Sequence, residues 1–332
     1  MACNAIASNV ILARLARGRL MNKLTKTSSL IAFVLLFFGM IASAQENKSS
    51  GPAREPMLVT VDWLAEHLKD PSLILLQIGD KKDYDKGHVP GAQFLEYESI
   101  STPHNHGVTL MLELPPVEQL VSVFEKLGVS NSSHVILYFG TNWVTPTTRV
   151  YWTLDYLGLG DRTSILNGGL VAWQATHHPV STETKQPAKG SITPTPRKEI
   201  VADADWVNSH LNKPGVTVID ARTHEFYNGS QSDGNPRGGH IPGASNLPYL
   251  DVVDQDNNKF KSPDAIKELF RAAGLKPGNL MVSYCHIGQR ATVLYFTAKM
   301  LGYDAKMYDG SWEDWSHRKD LPIVTGESPS KL

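Results

Sequence analysis

The chain has 332 residues, with 32 Lys and Arg against 33 Asp and Glu and a formal net charge of −1. That balance excludes a nucleic-acid partner held by overall charge, and a hydrophobic share of 41% is that of an ordinary soluble globular protein. The length suits about two domains.

Lys23 and Lys26 precede an apolar run over residues 30–41, and Ala42-Ser43-Ala44 fits a small-x-small cleavage site before Gln45. The run is short for a membrane span. Residues 1–44 are therefore expected to be a signal peptide, with Met21 as an alternative start. Cleavage at about Ala44 would leave an exported, periplasmic protein without stable membrane insertion; a retained anchor is the competing reading. Of the two cysteines, Cys3 leaves with the signal peptide. Cys285 then remains as a lone thiol that cannot form an internal disulfide. Residues 45–56 are polar with Pro and Gly and read as a flexible leader.

From residue 57 strands and helices alternate. A helix follows a Thr60 or Asp62 cap, and residues 73–78 form a buried-strand pattern. Residues 80–86 lead into Gly87-His88-Val89-Pro90-Gly91-Ala92. Residues 117–127 read as an amphipathic helix, 134–139 as a strand, 148–157 as a helix and 164–166 as a short strand. Asn167-Gly168-Gly169 and a last helix from residue 170 complete the unit. Residues 180–199, rich in Thr, Lys and Pro, read as an extended linker.

The same order then recurs. Residues 204–211 are a helix and 216–220 a strand, and Gly239-His240-Ile241-Pro242-Gly243-Ala244 echoes the first motif. Ser262-Pro263 opens a helix to residue 273. Residues 280–284 are a strand, 292–301 a helix ended by Gly302, and 305–308 a strand before Asp309-Gly310-Ser311-Trp312. Trp173 and Trp315 hold similar places in the two final helices. This is a duplication of a domain-sized unit, too long for a solenoid repeat. The alternation predicts two α/β domains, each a mostly parallel sheet with helices on both faces. The domains are placed at residues 57–179 and 200–325, with a tail at 326–332.

The chemistry concentrates in Cys285-His286-Ile287-Gly288-Gln289-Arg290, between a strand and a helix. Successive amides in such a turn form an anion nest, and the helix N-terminus adds positive potential. Both favour a thiolate, the reactive form of cysteine. Arg290 adds a permanent cation. A small buried hydrophobe is the bland alternative for Cys285, but it leaves the loop unexplained.

Cys-x-x-Gly-x-Arg, two Gly-His-x-Pro-Gly-Ala motifs and the duplicated order together resemble tandem-domain rhodaneses, the thiosulfate sulfurtransferases. The resemblance covers residues 57–324. It implies Cys285 as the catalytic nucleophile, with His286, Ile287, Gly288, Gln289 and Arg290 around the substrate. Asp220-Ala221-Arg222 resembles the segment whose Arg binds the substrate anion, so Arg222 is expected to approach the pocket, held by a carboxylate and facing the substrate. A salt bridge of Arg222 with Asp220 or Glu225 alone is the competing reading. Asp220, Glu225 and Trp312 are expected behind the site. His240 matches His88 of the first half and is assigned to folding. The first half ends its strand in Tyr138-Phe139-Gly140, has no cysteine and carries Pro146 near the helix start, so it is expected to be inactive.

The expected reaction takes the outer sulfur of thiosulfate onto Cys285 as a persulfide and passes it to a thiophilic acceptor such as cyanide, with no cofactor. The 12 histidines show no metal pattern. Three alternatives stand beside this. A 3-mercaptopyruvate sulfurtransferase usually has small uncharged residues after its Cys, unlike His286 and Arg290. A phosphatase of the related fold needs Arg one residue further on. A non-catalytic persulfide carrier or binding module would hold a free reactive thiol without turnover.

Overall fold

The computed structural model describes residues 56–105, 109–140, 143–232 and 234–327. The expected signal peptide, its cleavage site and nearly all of the leader lie outside them. No helix among the described residues is long and apolar enough to cross a membrane.

Two five-stranded sheets form, and every pairing within them is parallel. The first orders β1 (Leu58–Val59), β5 (Thr163–Leu166), β4 (His134–Phe139), β2 (Leu73–Ile78) and β3 (Gln93–Phe94). The second orders β6 (Val201–Ala202), β12 (Ala305–Tyr308), β11 (Leu280–Tyr284), β7 (Val216–Asp220) and β8 (Ser245–Asn246). The strands β2, β4, β7, β11 and β12 are those read from sequence, and β2, β4 and β11 are mostly apolar runs because a strand buried on both faces has no polar alternation. The two-residue edge strands and the hairpin of β9 (Val253–Asp254) with β10 (Lys259–Phe260) are additions that so few residues do not announce.

The helices of the first half are α1 (Val61–His67), α2 (Lys81–Lys86), α3 (Val117–Lys126), α4 (Val144–Tyr156) and α5 (Gly169–Ala175). Those of the second are α6 (Ala204–Ser209), α7 (His224–Asn228), α8 (Pro263–Ala272), α9 (Ala291–Met300) and α10 (Ser311–His317). Thr60 caps α1 by accepting from the Trp63 amide at 3.1 Å, and Ser262 caps α8 through the Ala265 amide at 3.3 Å. Helix α4 begins four residues before the expected start at residue 148. Pro146 sits in its first turn, where a missing N–H breaks no intrahelical bond.

The outer face of each sheet has its own apolar cluster, around Trp173 in the first half and Trp312 and Trp315 in the second. The inner faces share one continuous core. There α4 packs against α9, with Tyr151 against Phe296 at 4.8 Å and the Thr148 and Thr292 hydroxyls 2.8 Å apart. Residues 182–197 run without helix or strand and are held: the Gly190 and Ile192 amides donate to Glu125, the Thr195 amide to Leu157 and the Arg197 amide to Tyr156, and a 3-10 turn over Lys198–Ile200 ends the stretch.

His88 and His240 are fully buried in matching places. Each stacks on a tyrosine, Tyr84 or Tyr227, within 4 Å and bonds that residue's carbonyl through Nδ1. A ring that closes the same local fold in both halves is a folding element. Burial holds His240 below the usual imidazole range.

Candidate active site

Cys285 follows β11 at the carboxyl end of the second sheet, where open α/β sheets place their sites. It forms part of the wall of a cavity of about 480 Å³ that also takes in His286, Ile287, Gln289, Arg290, Gly234, Asn235, Glu313 and His317. His104 and Met111 of the first half complete the lining.

Tertiary contacts set the direction of the loop. The Cys285 carbonyl accepts from the Trp312 amide at 3.0 Å and the His286 carbonyl from the Glu313 amide at 2.9 Å. The Gly288 carbonyl accepts from the guanidinium of Arg149 at 3.1 Å. A planar trans peptide points its C=O and the next N–H in opposite directions. Each carbonyl drawn outward therefore turns the following amide inward. Among the described residues the amides of Ile287 through Ala291 donate to no protein acceptor. The loop thus presents open donors at the start of α9, as the anion-nest reading requires.

Gly288 has φ +76°, and a Cβ there would stand 2.5 Å from the Asp309 carbonyl oxygen, so both conformation and space demand glycine. Ser311 holds the loop's other end, accepting from the Cys285 amide at 3.1 Å while donating to the Tyr308 carbonyl at 2.8 Å.

Arg290 lines the cavity with its guanidinium 3.2 Å from His286 Nδ1 and 5.6 Å from the Tyr249 ring centre. Among the described residues no carboxylate lies within salt-bridge reach of it. His286 stacks edge-on against Phe226 at 4.4 Å.

Arg222 corrects the sequence reading on one point, its approach to the pocket. Its guanidinium is 1% exposed and does not line the cavity. Asp220 binds it at 2.6 to 3.1 Å, the Gly239 carbonyl takes a further bond at 2.7 Å, and the Trp312 ring covers it at 4.3 Å. Through Nε and Nη2 it braces the strand end, as in the competing reading of the two. Asp220 and Trp312 lie behind the site in this brace. Glu225 takes no part in it: it is exposed at the start of α7, and bonds to its own amide and the Thr223 hydroxyl hold its carboxyl below the usual range.

In the first half, strand register puts Phe139 where Cys285 stands and Gln77 where Asp220 stands. Gly79 and Leu170 replace Arg222 and Trp312 by the same alignment. A Cβ on Gly169, the counterpart of Ser311, would lie 2.7 Å from the Phe139 ring, so the aromatic side chain fills the equivalent space.

Comparison with known proteins now decides the family. Two copies of the rhodanese-like domain match residues 60–176 and 203–318. The chain belongs to the rhodanese family. A sulfur carrier protein, TtuD, of Thermus thermophilus is 32% identical over 83% of this chain and 99% of its own length. The thiosulfate sulfurtransferase of Azotobacter vinelandii is 32% identical over 81% of this chain and 97% of its own. The crystal structure of SseA from Escherichia coli, described with the 3-mercaptopyruvate sulfurtransferases, superposes with a TM-score of 0.68 at 28% identity, covering 78% of this chain and 99% of that one. Sulfurtransferase chemistry is accordingly the function this rhodanese site has to carry.

Sequence reasoning missed the cavity residues His104, Met111, Gly234, Asn235, Glu313 and His317, and also Arg149 and Tyr97. The Tyr97 hydroxyl is buried without a hydrogen-bond partner among the described residues, within electrostatic reach of Cys285, Arg149 and Asp309; burial raises its pKa. Arg149 left one signal, a lone cation in the otherwise uncharged stretch from Trp143 to Leu154.

Proposed function

We propose that the protein moves sulfane sulfur from thiosulfate to a thiophilic acceptor such as cyanide. The Cys285 thiolate attacks the outer sulfur, the sulfur–sulfur bond of thiosulfate breaks and sulfite departs with the electron pair. Cyanide then takes the outer sulfur of the persulfide as thiocyanate and restores the thiolate. The open loop amides stabilise negative charge on both sulfur species.

The observation that carries the reading is Arg290. It is a guanidinium without a carboxylate partner among the described residues, placed in the cavity wall beside those amides. A sulfonate offers three oxygens to this cation, His286 and the amides together. The carboxylate of 3-mercaptopyruvate offers two. With Arg222 committed elsewhere, the preference rests on Arg290 and the loop alone. The first half, with Phe139 in place of the thiol, is read as carrying no sulfur. Export with cleavage at about Ala44 belongs to the same proposal, and protein recovered from the cell envelope should begin at Gln45.

A donor panel with cyanide as acceptor tests the reading. Thiosulfate should be preferred, and thiosulfate-treated protein should gain the mass of one sulfur atom, removable by cyanide and absent in Cys285→Ser. Arg290→Met should cost thiosulfate use roughly 1.5–3 kcal/mol, about one to two decades in kcat/KM. Preference for 3-mercaptopyruvate would refute the donor; turnover by Cys285→Ser would refute the mechanism.

A further inference from the structure

The first half contributes a cation that the reaction as described does not use. Arg149 lies in the second turn of α4 and is 1% exposed. One nitrogen, Nη1, bonds both the Gly288 carbonyl at 3.1 Å and Asp309 Oδ1 at 2.6 Å, while Nη2 donates to the Leu112 carbonyl. Asp309 Oδ2 in turn accepts from the Leu114 amide at 3.0 Å, and Glu313 accepts from the Met111 amide at 2.9 Å. A single guanidinium therefore joins three parts. They are the first-half segment that walls the cavity through Met111, the turn between β12 and α10, and the middle of the Cys285 loop.

A buried charge is a poor device for mere adhesion, since apolar residues of similar volume hold an interface at least as well. What a guanidinium adds is direction. The Cys285 and His286 carbonyls are held by amides of α10, but among the described residues the Gly288 carbonyl has only Arg149. Gly288 is the loop residue with positive φ, and its peptide rotates with least steric resistance.

We propose that Arg149 is a positioning residue for sulfur transfer. By fixing the Gly288–Gln289 peptide it keeps the Gln289 amide turned inward, toward the persulfide, and so makes the first half part of the active site. Arg149 acts through the loop and touches no reacting atom. The inference rests on sulfurtransferase chemistry at Cys285 but not on which donor supplies the sulfur.

The test compares full-length wild type with Arg149→Met, Arg149→Lys and Tyr295→Phe. Tyr295 donates to Asp155 at 2.6 Å, another bond between the halves that does not involve the loop. Each protein is assayed at steady state with whichever of thiosulfate or 3-mercaptopyruvate the wild type uses better, and by rapid-quench mass measurement of persulfide loading. Arg149→Met should lower kcat and loading about 10- to 100-fold with KM within about threefold, the scale for misplacing or losing one anion-stabilising donor. Arg149→Lys, which keeps the charge but not the fork, should fall between. Tyr295→Phe should melt lower yet keep kcat within about twofold. The proposal is overturned if Arg149→Met loads and turns over like wild type, or if Tyr295→Phe loses kcat equally. Should Arg149→Met not fold, an Arg149→Lys protein with wild-type kcat and a lowered melting temperature overturns it as well. A wild type that uses neither donor overturns the functional reading and this one together.

Discussion

Arg222→Met separates a brace from a substrate ligand. In the native protein the fully buried Asp220 carboxylate receives three guanidinium contacts at 2.6 to 3.1 Å and the Arg222 amide at 2.9 Å. Methionine removes the guanidinium and leaves that buried carboxylate without its cation. Stripping one partner from a buried ion pair costs roughly 3–5 kcal/mol. The stacking on Trp312 at 4.3 Å is lost as well, adding about 1–2 kcal/mol for a desolvated cation–π contact. We expect about 5 kcal/mol in urea denaturation and a melting temperature lower by about 10–20 °C, taking about 2–4 °C per kcal/mol. Assayed below its transition, the variant should keep its KM for the sulfur donor within about threefold. Replacing both partners, Asp220→Leu with Arg222→Met, should recover most of the lost stability, because no charge is then stranded. A variant with wild-type stability but a KM raised tenfold or more would refute the brace and restore Arg222 to the substrate.

Gly288→Ala should place a Cβ 2.5 Å from the Asp309 carbonyl at φ +76°; strain of about 1–2 kcal/mol plus the overlap should abolish persulfide loading at modest cost in stability, and wild-type loading would count against the loop geometry. Gln77→Leu should raise stability by about 1–3 kcal/mol without changing turnover, because both side-chain polar atoms of Gln77 are buried without a partner among the described residues; a lower melting temperature would argue the reverse. Since burial depresses the His240 pKa, the unfolded chain binds its proton first as the solution is acidified. The contribution of His240 is therefore full above about pH 6.5 and lost as the pH falls through and below that value. The urea midpoint of wild type should drop more between pH 7.5 and 5 than that of His240→Gln, and equal slopes would remove His240 from the account.

Much of this protein was legible along the chain because the relevant physics is local. Runs such as His134–Phe139 and Leu280–Tyr284 are mostly apolar without polar alternation, so they announce strands buried on both faces. The paired Gly-His-x-Pro-Gly-Ala motifs set the duplication, and the short spacing of Cys285, Gly288 and Arg290 marks the reactive loop before any contact is known. Two-residue strands carry too few positions for a pattern, and the extent of α4 toward its N-terminus was hidden by a proline that the first helical turn tolerates.

The arginines mark the boundary. Sequence identifies a guanidinium but not where it points, and the same fork suits a substrate anion, a carboxylate two residues away or a carbonyl in another domain. Arg222 was close to the site by motif and is held away from it by Asp220 and Trp312. Arg149, 139 residues from Gly288, reaches the Cys285 loop only because the inner faces of both halves share one core that sets α4 against α9. Motif and local propensity determined the fold and marked out the Cys285 loop. Where Arg222 and Arg149 point followed from long-range packing, since side-chain direction depends on neighbours that chain distance does not encode.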